Sequence, residues 1–517
     1  MSDRDSLPAT WARAALSELT KSMGGGTPDT RDPQFWVDGS IPWVSPKDMK
    51  TFEIGQSIDS VSAAALARLT LVPSESVLVV VRSGILSRVL PVAVNTVPVT
   101  INQDMRAFVP HAGLDARFLA WQLVSRGNDI LTACAKDGTT VASIEGSRLA
   151  SFEIAVAPAA QQQRIVDLIE ELTSDLDAGV AELKAAQRKL QQYRQSLLKT
   201  AVEGALTADW RARNPPQETG AELLARILRE RRARWESLQE QRFERVGKTP
   251  PPGWRSDYVQ PATPVATGLP QLPVGWVWAS LDQLLVSVRS GTAATSGRQP
   301  TDHPVLKSSA VRQGSIDFNA LNYLDIEQSK RDDNYLELGD LLITRLSGSL
   351  GYVGCCAVVL ELPAARVQYP DRIFCGKPVV PDRCLTALIA MSFQAPVVRS
   401  LIEVAAKSTA GHKRISLSDL PMLPIALPPV SEIAAIIELV ESATSASVVT
   451  EVSVQAGLRL AAAQRQNILR AAFAGQLVPQ DPADEPASAL LARIHAERAA
   501  AARPPKPSRR TKTKASA

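Results

Sequence analysis

The chain is poor in the residues that most often carry chemistry. Its 517 residues include four histidines and five cysteines. The cysteines (Cys134, Cys355, Cys356, Cys375 and Cys384) form no CxxC spacing, which argues against a zinc or redox pair and for buried thiols in a reducing compartment. The scattered histidines leave little material for a His-based metal or catalytic centre. No GxGxxG, GxSxG or HExxH occurs. No apolar run approaches the ~20 residues that a bilayer span needs. The opening Met1-Ser2-Asp3-Arg4-Asp5 has no signal-peptide core. A cytoplasmic protein without membrane attachment is expected. Lysine and arginine (57) nearly balance aspartate and glutamate (53), so a net charge of +4 permits nucleic-acid binding without demanding it.

Several enzyme signatures are approached and missed. Asn214-Pro215-Pro216-Gln217 has Gln217 where an adenine methyltransferase needs an aromatic to stack on a flipped base, and reads as a turn. Gly247-Lys248-Thr249 lacks the preceding glycine of a phosphate loop, since position 242 is Arg. Pro28-Asp29 with Asp48-Met49-Lys50 fits a loose nuclease pattern, but Pro28-Asp29 sits in a Gly/Pro turn. A non-catalytic protein is expected.

What the chain does have is a repeat. Residues 135–207 overlay 406–478 without a gap, matching at 21 of 73 positions. A looser echo opens each half: Leu7-Pro8, Trp11, Leu16, Leu19 and Gly26-Thr27 return 265 residues later as Leu272-Pro273, Trp276, Leu281, Leu284 and Gly291-Thr292. Between these landmarks, about 28–134 and 293–405, the halves diverge. Short β-branched runs at 77–81, 89–101 and 338–344 read as strands. An α+β domain in each half follows.

After Pro158 the pattern changes. Ile169, Leu176, Leu183, Leu190 and Leu197 recur every seven residues, with Leu172, Ala186 and Tyr193 between them. This predicts a helix over about 159–203, roughly 68 Å long at about 1.5 Å per residue, with one narrow seam. Its counterpart over 430–474 carries smaller seam residues: Val440, Ala443, Ser447, Val454, Gly457, Ala461 and Ile468. Small faces let helices approach closely, so the two are expected to pair antiparallel; packing of each on its own module is the alternative. Between the halves, 206–270 reads as a charged helix from Ala221 to about Arg245 and an extended, mobile Pro-rich linker. The end, Arg503 to Lys514, reads as a basic disordered tail. Six segments are expected: 1–152, 153–205, 206–270, 271–427, 428–476 and 477–517.

Both variable modules hold polar clusters suited to nucleic acid. Arg and Lys suit guanine and phosphate, Asn and Gln suit adenine, and Ser grips phosphates. In the first half these are Ser45, Lys47, Lys50, Arg82, Ser83, Arg88, Asn102, Gln103 and Lys136; in the second, Lys307, Ser308, Arg312, Arg345, Ser347, Lys407, Lys413 and Arg414. The helix-packing and docking candidates are Ile169, Leu176, Leu183, Leu190, Tyr193, Leu197, Val440, Val454 and Ile468.

With these marks in place, the chain resembles the specificity (S) subunits of type I restriction–modification systems. The resemblance rests on Gly25-Gly26-Thr27-Pro28, Ile41-Pro42-Trp43-Val44-Ser45-Pro46-Lys47-Asp48-Met49, Arg82-Ser83-Gly84-Ile85-Leu86 and Asn102-Gln103-Asp104-Met105. Gln163-Arg164-Ile165-Val166, Tyr193 to Lys199 and Gly339 to Arg345 add to it, over about residues 7–500. It implies two target-recognition domains, each reading half of a gapped double-stranded DNA site. It also implies two long helices that set the gap and dock two methyltransferase subunits, which carry S-adenosylmethionine, while this chain carries no cofactor. Motor-nuclease subunits complete the restriction complex. The second helix, poor in charge and leucine, is expected to be the weaker dock. A single-chain methyltransferase or nuclease, or a coiled-coil adaptor that does not touch DNA, are the alternatives.

Replacing residues 28–134 by another variable module should therefore change one half of the recognised site, seen by mapping methylated adenines in the host genome; a change in both halves would refute modularity. Inserting one helical turn within 175–195 should alter the gap between half-sites or abolish binding, and an unchanged site at full affinity would refute the spacer.

Overall fold

The computed structural model describes residues 7–136, 141–265, 267–293, 296–324, 334–363, 366–409 and 412–501; the expected basic tail lies outside them. The first half runs β1 (Ala12–Ala15), β2 (Thr20–Gly24), β3 (Ser76–Val80), β4 (Val92–Asn95), β5 (Met105–Pro110), α1 (Ala116–Ser125) and β6 (Glu153–Val156), then the 44-residue α2 (Ala159–Val202) and α3 (Gly220–Arg245). The second runs β7 (Val277–Ser280), β8 (Leu285–Ser290), β9 (Leu341–Thr344), β10 (Leu346–Ser347), β11 (Cys356–Val358), β12 (Ile373–Pro378), α4 (Arg383–Ser392), β13 (Lys407–Thr409), β14 (His412–Arg414) and β15 (Pro424–Leu427). The 44-residue α5 (Val430–Phe473) and α6 (Ala487–Ala501) follow.

The divergent modules share one scaffold. The first sheet has the order β2-β5-β3-β4 with Glu53–Ile54 at its edge, and the second β8-β12-β9-β11. β6 pairs antiparallel with β1, and β15 with β7. Asp115 caps α1 through the Phe118 amide at 2.7 Å, and Asp382 caps α4 through Leu385 at 2.8 Å. The expected strand over 89–101 is two, β4 and Thr100–Ile101. Between them the Asn95 amide donates to the carbonyls of Pro73 and Val97, closing a turn just before Pro98.

Pairing registers also correct the sequence alignment of the halves. Thr20 faces Pro110 and Leu285 faces Pro378, but a bulge between Leu285 and Ser287 admits Val286 as an extra residue. Beyond it the offset is 266, not 265: Gly24 faces Arg106 and Ser290 faces Phe374. Gly25, rather than Gly26, is the counterpart of Gly291. At either glycine a Cβ would collide with main-chain carbonyls, those of Ile101 and Asn102 or of Tyr369 and Pro370.

Contacts divide the chain into two compact units, 1–184 with 455–517, and 185–454. The six contiguous segments expected from sequence are therefore not the packing units, since each long helix belongs to both. In the first unit Ile165, Val166 and Ile169 of α2 share a core with Ile468, Leu469, Ala472 and Phe473 of α5, and Leu490 and Ile494 of α6 join it. In the second unit Leu197 and Ala201 share a core with Ile433, Ile436 and Val440, joined by Leu223 and Ile227 of α3. Within each unit the helices run antiparallel: Asp177 pairs with Arg465 in the first, and Arg194 with Glu451 at 2.7 Å in the second. Leu183 lies over Gly457, where a Cβ would come within 3.1 Å of it, so the small seam residue is what admits the leucine.

An 18-residue stretch of α5 reaches a mean hydropathy of 1.5, long and apolar enough by composition to span a bilayer, contrary to expectation; 22% of it is buried within the protein. Part of that apolarity goes into the two cores. Val448, Val449 and Val452 face outward.

The opening landmarks of each half tie it to a helix start. The Trp11 indole donates to Gln161 Oε1 at 3.0 Å, and the Trp276 indole to Glu432 Oε2 at 2.9 Å. Pro8 lies on Gly475 and Pro273 on Gly204, the glycines that end α5 and α2 at φ of +71° and +75°. The two ties differ in charge. Glu432 is buried and also accepts from the Thr207 hydroxyl at 2.6 Å and Arg211 Nε at 2.9 Å, whereas Gln161 is neutral.

The segment expected to be a mobile linker is tied down. Trp235 packs on Trp254 and Tyr258, Arg255 bridges Glu236 and Glu240, and Asp282 accepts from the Ala262 amide at 2.9 Å. The aromatics of α3 and of 254–258 supply the apolar contact that a proline count conceals.

Arg211→Ala should cost about 3 kcal/mol in denaturant unfolding by stranding the Glu432 carboxylate. Adding Glu432→Gln should recover most of it, because the first unit runs the same tie with a neutral amide. Equal loss in single and double variants would refute the charge argument.

Candidate nucleic-acid interface

In the first module the end of the sheet gathers several candidates. The turn 45–50 is held by Asp48, whose carboxylate accepts from the Ser45 amide (2.8 Å), the Ser45 hydroxyl (2.9 Å) and the Ile58 amide (2.8 Å). Ser45 is thus buried and spent on the turn, while Lys47 and Lys50 line a polar groove of about 820 Å³ with Gln56 and Ser57. Asn102 is likewise structural: it is buried, its amide donates to Val44, and its side-chain oxygen caps Asp104 at 3.0 Å. Neither Ser45 nor Asn102 presents its side chain to a ligand, which corrects the expectation for both.

Gln103 is exposed and accepts from the Thr27 hydroxyl. Arg82 pairs with Asp104 at 2.5 Å. Ser83 caps the turn 84–87, and exposed Arg88 ends it. Arg82 bridges Ser143, whose carbonyl accepts from the Lys136 amide, so Arg82 and Lys136 share one edge.

The second module concentrates its cations further. β10, β14 and β13 form a three-stranded sheet in which Leu346 faces Arg414, Ser347 faces Lys413, and Lys407 faces Arg414. Lys407 and Arg414 therefore share one face of this small sheet and Ser347 and Lys413 the other, while Arg345 lines a cavity with Arg414. The Arg345 guanidinium lies over the Phe374 ring at 5.5 Å, and its Nη1 donates to the Asp371 carbonyl at 3.1 Å. Lys307 and Ser308 sit apart, on the ribbon made by Pro304–Leu306 and Leu321–Tyr323. Arg312 stacks on exposed Tyr352 at 4.8 Å, a pairing the sequence did not suggest.

Of the helix candidates, Ile169, Leu197, Val440, Val454 and Ile468 are buried, and Leu176, Leu183 and Leu190 are half-buried. Tyr193 points outward at 49% exposure, contrary to its assigned seam place. A 3.6-residue helix drifts about 20° per heptad, and here the inward place falls to Arg194, which donates to the Ser447 hydroxyl at 3.1 Å. Cys134, Cys355, Cys356 and Cys375 are buried, and burial pushes their thiols up, away from reactivity.

Residues 8–184 match the family described as the type I restriction modification DNA specificity domain. Over those residues the chain is similar to this family, and the rest of the chain lies outside the match. It is 41% identical over 188 residues to the specificity subunit of the Escherichia coli EcoR124I/EcoR124II type I enzyme, covering 35% of this chain and 46% of that one. To the EcoKI specificity subunit of Escherichia coli K12 it is 28% identical over 370 residues, 69% of this chain and 67% of that one. The chain thus spans about half to two thirds of the length of these relatives. A chain solved in work on complex assembly and conformational transition of the type I R-M system shares the fold over 91% of this chain and 100% of its own length, with a TM-score of 0.56 at 15% identity.

Asp48→Ala should release the 45–58 loop at a cost of about 1–2 kcal/mol, read as faster amide hydrogen exchange at Ser45 and Ile58. Unchanged exchange at both would show that Asp48 does not hold the turn.

Proposed function

We propose that this chain is the DNA-recognition subunit of a type I restriction–modification complex, each module reading one half of a gapped double-stranded site. The observation that carries this is the exchange of side chains on a shared scaffold. Two sheets of the same strand order present different polar sets at the same edge, Arg82 and Lys136 in one and Arg345, Lys407, Lys413 and Arg414 in the other. A homodimeric reader would present one surface twice and recognise a palindrome; two unlike readers in one chain suit an asymmetric target.

The chain itself is a scaffold rather than an enzyme, and it works in the cytoplasm. Methylation falls to two methyltransferase subunits that bind S-adenosylmethionine, and restriction to motor-nuclease subunits. The outward valines of α5 (Val448, Val449 and Val452) support a protein dock there, and make the second helix an apolar dock rather than a weak one.

Methylated adenines mapped in the host genome should define an asymmetric two-part site. The purified chain should transfer no methyl group from labelled S-adenosylmethionine. With its methyltransferase partners, it should bind a duplex carrying that site with an affinity that falls steeply with salt. Salt-independent binding, or none, would refute the reading.

A further inference from the structure

A small cavity in the second unit, about 240 Å³, lies where the end of β9, β12 and the β13–β14 hairpin meet; Ser290, Arg345, Phe374, Arg414 and Ser416 line it. Arg345 is fixed on several sides. Its amide donates to Arg372, its carbonyl accepts from Ile415, its Nη1 donates to Asp371, and its flat face lies on Phe374. Yet its Nε is buried without an acceptor among the described residues. A buried N–H left unbonded costs about 1–3 kcal/mol, so an anion at the cavity that Arg345 lines would offset a cost the guanidinium already bears. Arg414 lines the same cavity, no carboxylate does, and neither arginine has an ion-pair partner among the described residues.

The pairing registers show what the first module places there. Ile144 donates to Val81 as Ile415 donates to Arg345, and Val81 donates to Asp104 as Arg345 donates to Arg372. Val81 is therefore the counterpart of Arg345. At the repeat offset of 271, Ser143 is the counterpart of Arg414, and by strand register Arg106 is the counterpart of Phe374. The guanidinium has changed strands. Arg106 donates Nη1–H to the Ser22 hydroxyl at 3.2 Å, and its Nη2 lies 4.0 Å from where a Cβ on Gly146 would stand. Each module thus brings a guanidinium to the same corner, from β5 in one and from the residue that follows β9 in the other.

We propose that this corner is a phosphate clamp in each module, Arg345 with Arg414 in the second and Arg106 in the first. It rests on the reading of the chain as a DNA-recognition subunit, and it assigns these residues to positioning each module on the duplex rather than to reading bases. The chemistry selects phosphate over a base edge. A guanine edge offers two neutral acceptors to one arginine and no charge to either, whereas one phosphodiester offers a negative charge and acceptors that both can share.

The test uses the full chain with its methyltransferase partners on a duplex carrying the genome-mapped site, with a neutral methylphosphonate placed at each backbone position in turn. Wild type should show one phosphate in each half-site whose neutralisation weakens binding roughly tenfold. Arg345→Gln should weaken binding to the same extent and become insensitive at one of these phosphates, Arg106→Gln at the other. Each should reduce the slope of log affinity against log salt by about 0.9 and leave the methylated sequence unchanged. Arg414→Gln, at an exposed residue, repeats the test should Arg345→Gln misfold. Wild-type sensitivity at every phosphate in these variants would overturn the clamp. So would a relaxed base preference at one position with an unchanged phosphate profile, which would make the arginine a base reader. So too would inorganic phosphate protecting these arginines from modification while the duplex does not, which would make the corner a free-anion site. A wild-type complex that fails to bind the mapped duplex would instead refute the DNA-recognition reading itself.

Discussion

The packing of leucine-rich α2 against small-residue α5 is the constraint on which the rest of the structure depends. Each unit takes a piece of both helices into its core, so neither module is complete with the residues that are contiguous with it in sequence. A seam of small residues in one helix is required by the bulk of the other: Leu183 occupies the space that a side chain at 457 would need. The apparent weakness of α5, few leucines and little charge, is the complement of α2's strength. Sequence similarity between the helices is preserved at their ends, where each start meets a tryptophan and each stop a proline, and is lost at mid-helix, where they must differ in order to fit.

Those ends explain why the repeat is visible in the sequence where it is. Trp11 and Trp276, Pro8 and Pro273, and Gly475 and Gly204 are paired contacts between distant parts of the chain, and each demands a particular residue type. An indole N–H needs an acceptor, and a glycine in the left-handed region facing a proline ring admits no Cβ. Within the variable modules the scaffold demands much less. A β-strand buried on a sheet accepts any combination of Val, Leu, Ile, Cys or Phe that fills the volume, so β3 and β9 hold the same place with little shared sequence. The sequence displayed the frame because its contacts are specific by type, and hid the common sheet because its contacts are specific only by volume.

The candidate site was legible to a similar, limited degree. Residue type identified clusters, and the structure retained those whose side chains are not consumed locally. Ser45 and Asn102 had the right chemistry but serve turns, which became apparent only from where their hydrogen bonds go. Tyr193 satisfied a strict heptad yet faces outward, as a helix of 3.6 residues per turn drifts away from a seven-residue repeat. Arg106 was missed because its partner in the other half is Phe374, and no comparison of residue types across the repeat could flag it.

That last case bears on how a duplicated reader diverges. An arginine side chain is long and can reach one point in space from either of two neighbouring strands, so the charge can sit on β5 in one module and just past β9, the neighbour of β5's counterpart β12, in the other while the corner it serves stays in place. The exchange also alters the neighbour: where Arg345 occupies the corner, Phe374 becomes the flat surface that holds it, and where Arg106 does, Ser22 holds it. Position-by-position comparison would score these as unrelated residues. Judged by the atoms delivered to the corner they are equivalent, and for the phosphate backbone that the proposed reading brings to this corner, it is the place of the charge, rather than the strand that carries it, that matters.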